Sequence, residues 1–536
     1  MRIIGYHITD GLVVNSEGGE CREYPLDFLL ERIPDTIKVF YHLDYSVANL
    51  FRWLKVNEYE IRKLVKKGEI YLAPYRFGYS EKKYFNVQYG GGRGSFFANF
   101  NDMYQFHRNS DLSTLPPADY ARQAADIGKR VYEALVKLEL NPMSLTSPVR
   151  CWEKEVLSKM DLPGMADLPE PVAKAAYDCC DGGWVEAFQK GHWGKTYDYD
   201  VRSAYGSFTR NLLDTRYGKW IEAPYYDPSC YYGYGLCNIE ATSPFSPITY
   251  MRGDEKLTPN GKFPEPKWIG KRQIDHALKY KTAKIEVLDG WWWFPDKLVY
   301  PLEDMIDYLF KAKESATGID KDVYKRILAG IWGKFLFIKQ HPKKGENPYG
   351  ELFNSVYAEE VESGCRCSTS AFVLDHHLEK STLHVAVDGV LSSAPATILD
   401  TGQIGEWKLS NVGAAYVISS GICAVQGKDT DIAEDKENSD FILRYDWLKD
   451  QIQRNPNSPC YTMRKLSPVT LQKAISQAKL DRLGEHEEIE RTVDITFESK
   501  RDYDEKPETG AQLQRRKYYS KPTDIRSIVE IKGANK

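Results

Sequence analysis

Short apolar runs at residues 2–7 and 37–41 predict strands near the start of the chain. Ala124, Ile127, Val131, Leu135 and Leu138 recur at helical spacing instead, and predict a helix over residues 120–140. Residues 1 to about 140 therefore read as a mixed α/β unit. The stretch 142–171 is irregular and dotted with proline, which marks a domain boundary. Residues 194–203 predict a strand running into a turn, followed by a long segment with many Tyr, Pro and Gly. Residues 301–316 and 319–332 predict two helices joined by Thr317-Gly318. Residues 383–391 predict a strand hairpin. The last 120 or so residues mix strands with one helix at about 468–483. No internal repeat or low-complexity tract is visible.

Composition narrows the class. The chain has 536 residues, too many for one ordinary core. Hydrophobic residues make up 42% and charged residues 28%, values of a folded rather than a disordered chain. Net charge is −4, which argues against a uniformly basic DNA-coating protein and leaves room for a local basic channel. Basic clusters occur at Arg62-Lys63 with Lys66-Lys67, at Lys343-Lys344 and at Arg515-Arg516-Lys517; for each alone, a solvated face is the default. The start MRIIGYHI carries no secretory pattern, and no apolar run approaches the ~20 residues of a membrane span. A cytoplasmic protein with reduced thiols is expected. Cys179-Cys180 and the pair Cys365 and Cys367 lack zinc-finger spacing.

Three segments carry chemistry. In YDYDVRSAYGSF (197–208), alternation puts Asp198 and Asp200 on one strand face, with Asp200 at the strand end, where a carboxylate suits a magnesium ligand. An exposed acidic strand edge is the competing reading. In the helix pair, Lys313 precedes the turn and Lys325 follows it. Lys325, Ala329 and Trp332 fall at i, i+4 and i+7, a stripe that could meet a nucleotide's phosphates and base. A Trp332 packed in a core is the alternative. In HVAVDGVLSS (384–393), Asp388 stands at a turn with Gly389, where an unpaired carboxylate is costly unless exposed or bound to a cation. A plain Asp-Gly hairpin turn competes with that. The glycine-rich YGGGRGSF (89–96) lacks the Lys-Ser/Thr of a phosphate cradle, so a turn is favoured there.

In this order the segments resemble the family B DNA polymerases, and among them the protein-primed branch of phages and linear plasmids. The family's first palm motif, Asp, two residues, Ser-Leu-Tyr-Pro, corresponds to Asp200-Val201-Arg202-Ser203-Ala204-Tyr205-Gly206. Its fingers motif, Lys, three residues, Asn-Ser, one residue, Tyr-Gly-Lys, corresponds to Lys325 through Lys334. Its Asp-Thr-Asp-Ser corresponds to Ala386-Val387-Asp388-Gly389, and Asp181-Gly182-Gly183-Trp184 resembles the glycine pair linking exonuclease and polymerase halves. The resemblance implies an α+β multidomain fold: an RNase H-like exonuclease-type domain (1–145), then a right-hand polymerase. The palm with its insertion would span 146–300, the fingers 301–345, the palm again 346–410, and the thumb and C-terminal segment 411–536. It implies two magnesium ions (manganese as an alternative) on Asp200 and Asp388 with the Val201 carbonyl nearby. Lys313 and Lys325 would bind the triphosphate, and Tyr205 would exclude a 2′-hydroxyl. Ala329 and Trp332 would lie on the nucleotide face. The implied partners are primer-template DNA, dNTPs and a priming terminal protein, without a membrane, in the host-cell cytoplasm of a phage or plasmid.

The sequence departs from the family at Ala386, Ala329, Trp332 and Gly206. In the exonuclease-like region the expected Asp-x-Glu is absent and His7-Ile8-Thr9 occupies its place. The second site reads His42-Leu43-Asp44-Tyr45-Ser46, with Asp44 displaced. In the third only Asp126 remains, with Arg122 where a Tyr is expected. A domain that folds but does not proofread is expected. The insertion, about 220–300, holds a DGWWWFP run (289–295) that reads as core or interface packing rather than a stacking platform. Residues 338–354 look short for the hairpin that encircles DNA in this branch. Arg515 to Lys521 reads as a thumb grip on the duplex or as an exposed tail. The favoured reading is a template-directed DNA polymerase without proofreading. The others are a polymerase-shaped binding protein that has lost catalysis, and a nucleotidyltransferase working without a template or on a protein hydroxyl.

Overall fold

The computed structural model describes residues 2–9, 11–33, 35–90, 96–104, 106, 115–141, 147–253, 255–339, 347–428, 430–431 and 441–528. Lys343-Lys344, the centre of the glycine-rich loop and part of 338–354 lie outside the described residues. Contacts divide the chain into two compact units. The first takes in Met1–Met160, Lys311–Ile327 and Arg464–Glu490; the second takes in Asp161–Phe310, Leu328–Met463 and Arg491–Lys536. These units are discontinuous, whereas the boundaries expected from sequence follow the chain.

The first unit is built on β1 (Arg2–Thr9), β2 (Leu12–Asn15), β3 (Glu20–Cys21), α1 (Pro25–Leu30), β4 (Thr36–Phe40), α2 (Leu43–Trp53), α3 (Glu58–Lys67), β5 (Glu69–Leu72), β6 (Tyr75–Ser80), β7 (Tyr84–Tyr89), β8 (Phe96–Asp102) and α4 (Pro117–Lys137). The sheet order is β3-β2-β1-β4-β8-β7-β6-β5. β1 to β3 run antiparallel, and β4 and β8 are parallel, the arrangement of an RNase H-like domain. The apolar stripe of α4 is buried as its spacing predicted, against β1. Gly5 permits this contact: a Cβ there would lie 2.0 Å from the Ala121 carbonyl oxygen. α3 shows how local sequence sets an element. Asn57 caps it by accepting the Glu60 N–H, Gly68 closes it at φ +78°, and its acidic and basic ends suit the helix dipole. Arg62 and Lys63 pair with Glu58 and Glu60, the solvated face expected of that cluster. The core of this unit is completed from far along the chain by Val469, Leu471, Ala474 and Leu483.

The stretch 142–171, expected to be irregular, contains α5 (Pro148–Glu155), capped by the Ser147 hydroxyl, and runs into α6 (Glu170–Asp178) of the second unit. The central sheet of the second unit uses β9 (Val185–Ala187) and β10 (Gln189–Val201), which runs into α7 (Ala204–Arg210). An insertion follows: β11 (Gly218–Glu222), β12 (Tyr232–Ala241), β13 (Tyr250–Arg252), β14 (Glu255–Leu257), β15 (Gly261–Lys262), β16 (Lys267–Gly270), α8 (Lys271–Tyr280) and β17 (Ala283–Pro295). Trp292 and Trp293 of β17 are fully buried, so the tryptophan run is core, as expected. α9 (Glu303–Ser315) and α10 (Gly318–Gly330) are the predicted helix pair, and each contributes residues to both units. Then come α11 (Ser355–Asp375), β18 (Thr382–Ala386), β19 (Gly389–Ser392), β20 (Trp407–Ser419) and β21 (Ile422–Val425). The central sheet runs β21-β20-β10-β19-β18-β9.

Two expectations for the C-terminal part are corrected. Among the described residues it holds helices Tyr445–Arg454, Leu471–Ser476 and Gly510–Arg515, and residues 525–528 are helical as well, where one helix was expected. The helix expected over 468–483 ends early because Ala478 takes a left-handed backbone, φ +53°. Arg515 to Lys521 is not an exposed tail. Strand Lys517–Pro522 pairs with β10, and Lys517 lies over the Trp193 ring. No described helix is long and apolar enough to cross a membrane, and the ten cysteines are unpaired.

Candidate active site

β10 sits between β19 and β20, and this pairing builds the site. Asp200 lies opposite Gly389 on one side and Lys408 on the other. Its carboxylate meets the Lys408 ammonium at 3.4 Å, and Asp198 meets Lys428 at 2.5 Å. β10 ends where expected. Ser203 turns left-handed at φ +52° to start α7, and Arg202 is fixed by two hydrogen bonds to Asp400, 3.0 and 2.9 Å. Sequence reading missed both lysines; strand register, not a local motif, brings them in.

The hairpin carrying Asp388 differs in detail from an Asp-Gly turn. Ala386 pairs with Gly389, so the two-residue loop is Val387-Asp388. Val387 has φ +58°, a conformation that costs a β-branched residue on the order of 1–2 kcal/mol. Neighbours hold it there. The Val387 N–H donates to the Trp184 carbonyl at 2.7 Å, and the Thr369 hydroxyl donates to the Val387 carbonyl at 2.9 Å. The valine side chain lies against Gly183, where a Cβ would come within 2.8 Å of it. Gly182 is gripped from α11: its N–H donates to Glu362 at 2.6 Å, and its carbonyl accepts from the fully buried Arg366 at 2.5 Å. Glu362, Arg366 and Thr369 follow one another at i, i+4 and i+7, so one helix face holds both the glycine pair and the turn. The Val201 N–H donates to the Asp388 carbonyl at 3.2 Å, tying the two motifs together. Burial, then the charge of Asp200, pushes the Asp388 carboxyl up to about 6.

Tyr205, in the first turn of α7, stacks on Trp332 at 4.8 Å and 24°. Trp332 lies just beyond the end of α10, on a 3₁₀ turn, so the predicted stripe is split between two helical forms. Ala329 and Lys325 are exposed. Asp200, Val201, Asp388, Tyr205, Ala329 and Trp332 all belong to the second unit. Lys313, which pairs with Glu314 at 2.9 Å, and Lys325 belong to the first.

The donors Asp200, Asp388 and the Val201 carbonyl are hard oxygens, the chemistry that magnesium prefers. The upward shift of Asp388 beside Asp200 fits a site that gains from a cation. Two side-chain carboxylates fall short of a larger cluster: among the described residues, no group of three or more His, Cys, Asp or Glu could hold a metal ion.

The exonuclease-like positions of the first unit converge differently. His7 is buried and stacks on Tyr120 at 3.9 Å, with Tyr45 beyond it at 5.9 Å. Burial, then His42 and His486, pushes His7 down to about 4. Asp44 accepts from the Tyr79 hydroxyl at 2.6 Å and the Lys82 N–H at 3.1 Å. Asp102, which the sequence reading overlooked, is wholly buried; burial, then Asp44, raises it to about 7. The third-site reading needs correction. Asp126 points to solvent and pairs with Arg130 at 3.0 Å, while Tyr120 and Ala124 occupy the inner face of α4. Helical phase carried that signal: Ala124 and Ile127 were both placed inward, which puts Asp126 outside.

No family model and no curated protein sequence matches the chain. Its fold is that of solved Phi29 DNA polymerase structures. One is a ternary complex with primer-template DNA and incoming nucleotide substrates: TM-score 0.61, 13% identity, covering 92% of this chain and 99% of that one. Another is a post-translocation binary complex with primer-template DNA: TM-score 0.62, 14% identity, with the same coverage.

Proposed function

From a chain with the fold of a protein-primed family B polymerase, we propose a template-directed DNA polymerase that joins dNTPs to a primer 3′-hydroxyl. The observation that carries the reading is the pairing of Asp200 with Gly389, next to the turn residue Asp388, whose carbonyl accepts from the Val201 N–H and whose carboxyl feels the Asp200 charge. Asp200, Val201 and Asp388 would hold two magnesium ions, manganese being the alternative, which would activate the primer hydroxyl and neutralise charge building on the α-phosphate. Tyr205 would lie under the incoming sugar and exclude a 2′-hydroxyl, held upright by its stack on Trp332. Ala329 is open beside that stack. Lys313 and Lys325, as cations on the helix pair, would meet the triphosphate. Lys408 offsets part of the Asp200 charge until a metal is bound. The segments would then serve as exonuclease-like domain, palm with insertion, fingers, palm and thumb, with a terminal protein as a candidate partner.

We infer further that the exonuclease-like domain does not proofread. The support is that His7, Tyr120 and Ala124 stand inside where metal-binding carboxylates would be needed, and that Asp44 is engaged by Tyr79. The second reading, a DNA-binding protein without catalysis, draws on the lysine already paired with Asp200 and on Ala386.

Primer extension on a defined template, with the native chain beside Asp388→Ala and Asp200→Ala, tests the proposal. Template-directed extension lost in both variants is expected. No extension by the native chain under magnesium or manganese would leave the binding reading standing. Removal of a mismatched 3′ end would overturn the inference about proofreading.

A further inference from the structure

The sheet of the first unit has one helix-covered face and one that is only partly covered. Over β5 to β8, Ile70, Phe77, Val87 and Ala98 form a buried row packed with α1, α2 and α3. The opposite face carries the row Tyr71, Arg76, Gln88 and Phe97, joined strand to strand in register. The next row on that face is Glu69, Gly78, Asn86 and Asn99. α4, the helix on this side, packs on β1, β2 and β4, at the other part of the sheet. Tyr71 is 63% exposed and Phe97 61%, although each is a ring at the centre of its strand's outer face. Asn99 is exposed, and Asn86 and Gln88 are half-exposed.

This composition runs against what a solvated strand face calls for. Asparagine is depleted in strands, and exposed positions favour threonine or mixed charges. The charges of these two rows, Arg76 and Glu69, pair with each other. What remains is flat rings and side-chain amides. Rings offer stacking surfaces, and amides offer donors and acceptors side by side, as a base edge does. A breach of local propensity on an open surface is expected at a binding site.

We propose that this face of β5 to β8 is a platform for the unpaired bases of a single-stranded nucleic acid. Tyr71 and Phe97 stack bases at its two sides, and Gln88, Asn86 and Asn99 meet base edges between them. Neighbouring strands lie about 4.8 Å apart, so the row from Tyr71 to Phe97 spans roughly 14 Å, enough for two or three splayed bases. A duplex hides its base edges and does not fit. With Arg76 neutralised by Glu69, few phosphates are engaged, so binding depends weakly on salt. The platform is independent of the palm carboxylates and stands even if the chain does not polymerise.

The test uses the full chain with its polymerase site saturated by an unlabelled short-overhang DNA hairpin. Affinity for fluorescent oligo(dT), oligo(rU) and an abasic oligonucleotide is read by anisotropy, and a 5-iodouracil oligonucleotide is photo-cross-linked and mapped. Tyr71→Ser with Phe97→Ser is expected to weaken oligo(dT) or oligo(rU) binding by roughly 10- to 100-fold. Cross-links are expected within residues 69–102, and the abasic strand should bind native and variant chains alike. Both rings are exposed, so the variant should melt like the native protein, and its primer extension should be unchanged. Affinity unaltered by the double substitution, or cross-links confined elsewhere, overturns the proposal.

Discussion

Gly183→Ala puts the coupling between the glycine pair and the Asp388 turn to a quantitative test. The new Cβ would lie 2.8 Å from one Val387 methyl and 3.1 Å from the other. Carbon atoms rest about 3.5–4.0 Å apart, so something must give by roughly 1 Å. Val387 is stiff at χ1 and already held left-handed by the Trp184 carbonyl and the Thr369 hydroxyl. The strap is no freer, because Glu362 and Arg366 hold Gly182. Overpacking of this kind costs about 1–3 kcal/mol of stability. If the turn absorbs the strain, the Asp388 carboxylate moves with it, and a misplacement near 1 Å costs on the order of 100-fold in rate. Single-turnover nucleotide incorporation across a magnesium titration, with a thermal melt beside it, reads both effects. Val387→Ala removes the offending methyls, so adding it to Gly183→Ala should recover much of the lost rate, a coupling that a double-mutant cycle measures. Native incorporation and native metal dependence in Gly183→Ala would refute the reasoning, as would a loss that Val387→Ala fails to relieve.

Val387→Asn should stabilise the chain by about 1 kcal/mol, because asparagine tolerates the left-handed backbone; an unchanged or lower melting temperature would show that the turn is not strained. Arg366→Met should destabilise by about 3–5 kcal/mol, since it leaves Glu362 buried without its cation, and Glu362→Gln should restore part of the loss in a denaturant titration. Asp102→Asn carries a pH signature. The folded carboxyl, raised to about 7, holds its proton where the unfolded one, near 4, has lost it. Asp102 therefore costs the native chain stability as pH rises from about 4 through 7, and the asparagine variant lacks that contribution. The advantage of the variant should grow from small at pH 4 to as much as roughly 4 kcal/mol at pH 8; urea titrations showing a flat difference would clear Asp102 of the effect.

The proposed catalytic pair was legible because each aspartate sits where its own local sequence ends or turns a strand. What stabilises the pair was not. α11 reads as a polar segment, with Glu359, Glu360, Glu362 and Arg366, and yet all four are buried. Charged side chains are so rarely interior that no pattern rule would place them there, and only tertiary contacts reveal their partners. Lys408 and Lys428 reach the aspartates through β20 and β21 register, which depends on long-range pairing. Asp126 was a different failure. The helical phase was correct but was not applied to the aspartate itself, whose outward position followed from the buried residues on either side of it.

The first unit's dependence on distant chain has a consequence for how the protein is made. Val469, Leu471, Ala474 and Leu483 pack with Ile61 and Leu64 in one core, and helix Leu471–Ser476 lies on α2 and α3. Ribosomes add roughly 5–20 residues per second, so tens of seconds can separate the emergence of α3 from that of its cover. Through that interval the nascent protein carries a bare apolar surface on its oldest portion, which makes it a natural client for a holding chaperone. It also makes late truncations harmful to the earliest-made sheet.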